Sequence, residues 1–366
     1  MQGLKTTVAA TALALALVGP AAAQDKKPVN IYIWNDYLGE STIDDFKKAT
    51  GFGANVDLYD SLELLEQKVL VGKSGYDVIV PTAEPALSRL IQAKVLEPLD
   101  KSKIPNFKNV SPVVLKQLET SDPGNKFAVP YLGGTIGIGV VPAKIKALAP
   151  DAPLDSWDLV FKPEIAKKVA ACGITILDSA VDVIPSVLNY LKLDPNSKKK
   201  DDHDAAEKEL LSILPYIKQF VTGQNINLLA GGDACVVVGY NGDVIQAKAR
   251  AEEAKNGVVV DYIIPKEGAQ AWWDTLAIPA DAPNKDGAYA YINFVLDPQN
   301  MAGVSNTVSY ANAVPATLPL IKEEVRTNSA VFPTEAQQAK LFTISAVNPQ
   351  VDRLRTRMWT KVKTGK

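Results

Sequence analysis

One histidine, two cysteines and three methionines stand in 366 residues, and each scarcity removes a class of function. A lone histidine excludes a Ser-His-Asp triad and a multi-histidine metal centre. His203 lies in Asp201-Asp202-His203-Asp204 beside lysines, so the stretch Lys198 to Asp204 is expected to be a solvated loop with His203 on the surface. Cys172 and Cys235 fit no metal-site spacing, and neither a metal nor a cofactor is expected. No P-loop, G-x-S-x-G or dinucleotide fingerprint is present. The formal charge is only −2 and no basic stripe occurs, so nucleic acid is not an expected partner. An enzyme reading survives only as a carboxylate-based hydrolase, and no acid/base pair is singled out.

The amino terminus is expected to be removed. Lys5 gives a positive start, Val8 to Val18 is apolar, and Gly19-Pro20 breaks the run before Ala21-Ala22-Ala23. That order is a secretory signal peptide, with cleavage expected after Ala23. In an exported chain two cysteines suggest one disulfide, with two buried free thiols as the alternative.

The remainder is long enough for two domains. Strands are expected near 30–33, 56–59 and 76–81, with helices between them and from Pro85 to Ala93. This order predicts an α/β fold with a largely parallel sheet. Strands are expected again at 127–131, 135–141, 174–177, 235–239, 258–265 and 272–278, with Gly133 and Gly134 between the first two. Helices are expected over 182–191, 205–220 and 243–254, and the basic tail from Asp352 reads as a solvated helix end. Two lobes joined by continuing strands, with a cleft between, fit a chain without a Ser/Pro linker.

Ligands of such sheets bind at the carboxyl ends of strands. Aromatic-plus-carboxylate clusters stand there: Trp34-Asn35-Asp36-Tyr37, Tyr240-Asn241-Gly242-Asp243 and Trp272-Trp273-Asp274. Asp178 and Asp182 add carboxylates at a strand-to-helix junction, and Thr82 and Glu84 follow the third strand. Singly, each could be core packing or a helix cap. Together they suit a cation with an apolar body, since carboxylates take ammonium ends and aromatic faces take methylenes. An amino acid would call for an arginine, but Arg89 and Arg250 lie outside these clusters.

Over the mature length the chain resembles the periplasmic putrescine-binding proteins of polyamine ABC importers. YIWNDYL, GYDVIVP, LDKSKIPNFKN, APLDSWDLVFKPE, GYNGDV, AKNGVVVDYIIPKEGA and YANA carry the resemblance. It implies a two-lobed periplasmic binding protein of type II, with mixed sheets, helices on both faces and a ligand cleft between lobes. Lobe 1 is expected to span 28–134 plus 256–308, and lobe 2 135–255 plus 309–366. The ligand set it implies is Trp34, Asp36, Tyr37, Thr82, Asp182, Tyr240, Asp243, Trp272, Asp274 and Tyr310, and Asn35 and Glu84, standing beside them in the sequence, are expected to line the ligand as well. It also implies a Cys172–Cys235 disulfide. The implied role is non-enzymatic: a periplasmic monomer captures a polyamine, putrescine first, and passes it to importer permease subunits. The chain departs from the putrescine pattern at Asn35 (Ser), Tyr240 (Trp), Trp272 (Phe), Asp182 (Glu) and Glu84 (a small polar residue). These departures keep spermidine, cadaverine and agmatine open as ligands, and a polyamine sensor open as a role.

Overall fold

The computed structural model describes residues 26–365. The signal-peptide expectation for residues 1–23 lies outside them. Its strands, in chain order, are β1 Lys26–Trp34, β2 Phe52–Tyr59, β3 Val78–Ile79, β4 Ala128–Val140, β5 Ile174–Ile176, β6 Gln219–Phe220, β7 Val236–Tyr240, β8 Asp261–Ile263, β9 Ala269–Ala277, β10 Ala311–Asn312 and β11 Leu341–Phe342. The main path runs β2-β1-β3-β9-β4-β7-β5-β6.

One end of this path is a parallel unit. β1 pairs with β2 and β3, and the helices Thr42–Thr50 and Leu62–Leu70 cross between strands. Alternation explains the core face, because Val29, Ile31 and Ile33 point inward and are fully buried. The helix Leu62–Leu70 starts where the Ser61 hydroxyl accepts from the Leu64 amide at 3.3 Å. Ser41 precedes the helix Thr42–Thr50 without a capping bond.

The other end is also parallel, β5 pairing with both β6 and β7. Antiparallel β4 and β9 join the two ends, so the sheet is mixed and the fold two-lobed. Two strands were expected around Gly133-Gly134, but β4 continues through them. The register instead shifts between Pro130 and Gly133, where proline has no N–H for a ladder bond. Over residues 128–136 β4 pairs with nearly the whole of β9, and over 136–140 it pairs with β7 and β8.

Three expectations near the carboxyl terminus are corrected. The expected loop around His203 is the start of a helix, Lys200–Ile213, whose buried stripe is His203, Ala206, Leu210 and Ile213. His203 is therefore not a surface residue: it is 1 % exposed, and the Arg355 Nε donates to its Nε2 at 3.1 Å. The expected helix over 205–220 ends at Ile213, because Pro215 cannot continue it, and Gln219–Phe220 forms β6. The basic tail is a sixteen-residue helix, Pro349–Thr364, burying Val351, Arg355, Met358, Trp359 and Val362. Apart from Arg355, its charges lie on the outer side while this stripe packs against Lys200–Ile213 and Ala180–Tyr190.

Candidate functional site

The sheet converges on one cleft. Trp34, Asn35, Asp36 and Tyr37 leave the end of β1, and Asp36 turns the chain with a positive φ of 50° that Asp tolerates better than most residues. Thr82 and Glu84 follow β3, and Asp182 lies in the first turn of Ala180–Tyr190 after β5. Tyr240 ends β7 and Asp243 lies in the first turn of Asn241–Ala254. Trp272 and Asp274 come from β9, and Tyr310 from the segment before β10. All twelve line the same cavity.

Its wall is acidic and aromatic. The lining carboxylates are Asp36, Asp60, Glu84, Asp182, Asp243 and Asp274, and no Lys, Arg or His lines it among the described residues. Three tyrosines each donate to a different carboxylate. Tyr37 reaches Asp274 at 2.7 Å, Tyr310 reaches Asp243 at 2.9 Å and Tyr240 reaches Asp182 at 2.8 Å. Thr82 adds a second donor to Asp274 at 2.6 Å, and Gln270 a second to Asp182 at 3.1 Å. Ring edges then meet ring faces along the wall: Tyr240–Trp272 at 5.8 Å, Trp272–Tyr310 at 5.3 Å and Tyr310–Tyr37 at 5.4 Å.

Burial dominates the electrostatics. Loss of water pushes Asp274 up to about 7, against the pull of its Thr82 and Tyr37 bonds, with nearby Asp182 pushing further. Burial likewise pushes Asp243 up to about 6, opposed by the Tyr310 bond. Asp182 and Glu84 are also raised by burial. One Glu84 oxygen accepts from Ser88 at 2.6 Å, while its Oε2 is buried without a partner. The Trp34 and Trp272 indole N–H groups are buried and unpartnered as well. A cation entering here would favour the charged form of carboxyls whose proton affinity burial raises, and would lie against aromatic side chains.

Other candidates go elsewhere. Alternation along β9 puts Trp273 on the opposite face from Trp272 and Asp274, where its Nε1 donates to Gln117 at 3.2 Å. Asp178 accepts from Trp359 and Lys363, holding the carboxyl-terminal helix. Arg89 pairs with Glu66 and Asp352, away from the cleft. Arg250 overturns its expected remoteness: it stands 3.2 Å from Asp36 at the cleft edge. It lies seven residues after Asp243 on one helix face, a spacing that could have revealed it. Tyr59, Asp60, Leu62, Thr222, Gly223 and Ile226 also line the cavity and were missed. Tyr59-Asp60 ends β2, so the strand-end rule would have found that pair. Cys172 and Cys235 are joined as a disulfide with Cα atoms 5.5 Å apart.

Residues 41–333 match the profile of the family described as bacterial extracellular solute-binding protein. The putrescine-binding periplasmic protein PotF of Escherichia coli K12 is 48 % identical over 98 % of this chain and 96 % of its own length. The putrescine-binding periplasmic protein SpuD of Pseudomonas aeruginosa UCBPP-PA14 is 46 % identical, with both chains covered in full. Among solved structures, the spermidine/putrescine ABC transporter substrate-binding protein PotD of Streptococcus pneumoniae superposes with a TM-score of 0.74. It is 26 % identical and is covered over 99 % of its length, against 93 % of this chain.

Proposed function

The chain belongs to the bacterial extracellular solute-binding proteins, and from that premise we propose that it captures a polyamine, putrescine first, for an ABC importer. The observation that carries the reading is a cleft lined by six carboxylates and an aromatic wall, with no basic residue in its lining among the described residues. Putrescine is a tetramethylene chain with an ammonium at each end. Asp274, with Thr82 and Tyr37, takes one ammonium. Asp243, with Tyr310, takes the other, and Trp272 lies along the methylenes.

Each charge-assisted bond contributes about 1.5–3 kcal/mol and a desolvated cation over an indole up to about 2 kcal/mol. After ordering costs this supports a net of roughly −8 kcal/mol, a micromolar Kd. Because the two anchors sit on different walls, the ligand favours the closed arrangement of the lobes. We take the lobes to meet where β4 passes residues 133–134 and β9 passes 273–275. On this division β8 belongs with the second lobe, because it pairs with the carboxyl-terminal half of β4. The same reading puts the mature chain in the periplasm as a monomer, cleaved after Ala23, with permease subunits as partners.

A second ligand reading has its own support. Glu84 lines the cavity, and its Oε2 is buried without a hydrogen-bond partner. That oxygen suits a donor that putrescine lacks, such as the guanidinium of agmatine or the third amine of spermidine. A thermal-shift and calorimetric panel of putrescine, cadaverine, agmatine, spermidine and spermine tests both readings. Stabilisation by polyamines is expected, and Glu84→Ser should weaken agmatine or spermidine more than putrescine. Stabilisation by sugars or amino acids alone would overturn the assignment.

A further inference from the structure

In the Tyr240-Asn241-Gly242-Asp243 turn, Asn241 and Gly242 are buried yet form no part of the cavity lining. Gly242 lies in the first turn of its helix without a left-handed φ, so no backbone demand explains it. A helix interior favours alanine over glycine by about 1 kcal/mol. What explains the glycine is space. A Cβ on Gly242 would enter the Tyr310 ring, 2.5 Å from Cε2 and 2.7 Å from Cε1. A Cβ on Gly134, in β4, would lie 2.7 Å from the Trp272 ring and 3.1 Å from the Tyr310 ring.

Both rings therefore rest on bare backbone. Asn241 fixes the height of that support: its Oδ1 accepts from the Thr135 amide at 3.0 Å, and its Nδ2 donates to the Ala330 carbonyl at 3.0 Å. Tyr310 is 2 % exposed and flanked by Tyr37 and Trp272. A methyl behind it can only drive the ring into the slot or turn its hydroxyl off Asp243.

We propose that Gly242 and Gly134 are positioning residues of the ligand cleft, forming the seat for Tyr310 and Trp272 that sets the slot width and holds the Tyr310 hydroxyl on Asp243. The proposal rests on the polyamine reading above. It is tested by titrating putrescine into the full chain and its Gly242→Ala variant. Gly303→Ala serves as control, because a Cβ there meets nothing within 4 Å.

Gly242→Ala should weaken binding at least about tenfold, roughly 1.4 kcal/mol, while the control binds like the wild type. A merely structural role would not shift the pH profile. Here Asp243 loses a donor that favours its charged form, so the rise of affinity with pH should move to higher pH. In a Tyr310→Ala background the added methyl has no ring to meet, so Gly242→Ala/Tyr310→Ala should bind as Tyr310→Ala does. That comparison also carries the test if the single variant folds poorly. Wild-type affinity in Gly242→Ala, or the same fold-loss in both backgrounds, overturns the seat. A wild-type chain that binds no polyamine overturns the ligand reading, and the seat with it.

Discussion

Replacing Asp274 with asparagine should move stability and binding in opposite directions. Asp274 is 4 % exposed, and burial pushes its carboxyl from 3.8 up to about 7 in the empty cleft. Each unit corresponds to about 1.36 kcal/mol, so keeping this group charged costs the native state at most about 4 kcal/mol. The sign follows from proton counting. Between those two values the native chain keeps a proton that the unfolded chain has lost, so native stability falls as pH rises through the window and stays lower above it. Asparagine carries no charge, and its oxygen still accepts from Thr82 or Tyr37. At pH 8 the unliganded variant should therefore be more stable than the parent, by a few degrees in Tm, and the gap should narrow at pH 5.

Binding should go the other way. Losing one charge-assisted bond of about 1.5–3 kcal/mol weakens putrescine by roughly 10- to 150-fold. Scanning fluorimetry without ligand at the two pH values, with calorimetry at pH 8, measures both. A variant less stable than the parent at pH 8, or one with unchanged affinity, would refute the reasoning.

Two further outcomes follow from the same cleft. Asp243 and Asp274, at about 6 and about 7, hold protons that a bound dication should expel. At pH 6.5 capture should release about one proton per ligand, and by pH 8.5 almost none; calorimetry in two buffers of different ionisation enthalpy counts them, and proton uptake would contradict the assignment. Arg250→Ala removes the ion pair to Asp36, whose side chains are 37 % and 46 % exposed. Such a pair contributes at most about 1 kcal/mol, so putrescine should leave no more than about fivefold faster in stopped flow, with less difference at high salt. A hundredfold change would give Arg250 a different role.

The cleft was legible where local pattern and topology coincide. Alternation located β1 and short apolar runs located β3 and β7, and the strand-end rule then pointed to residues that the fold brings into one cavity, although Trp272 and Asp274 lie inside β9 rather than at its end. What was not legible depended on partners distant in sequence. Three aspartates and neighbouring lysines made the His203 segment read as solvated. The helix stripe that buries it forms against Arg355, 152 residues away. The tail was misread for the same reason: its basic face is local information, whereas the surface that covers Met358 and Trp359 is not. Trp273 shows the converse: it stood in one candidate cluster with Trp272, although the period of two along β9 separates them.

The three tyrosine–carboxylate pairs set the electrostatics that a cationic ligand would meet. Each hydroxyl donates to a buried carboxylate, supplying a neutral partner where water has been excluded. Burial holds all three phenols well above their ordinary range, so they remain donors at neutral and acidic pH. The pairs keep the empty cleft from leaving charges wholly unsatisfied, yet they do not neutralise them, as the raised Asp243 and Asp274 record. A ligand with one cationic end would relieve one wall and leave the other carboxyl buried. A diamine relieves both at once. Its second ammonium therefore contributes more than an isolated surface ion pair could, because it meets a desolvated charge that the protein has left unmatched.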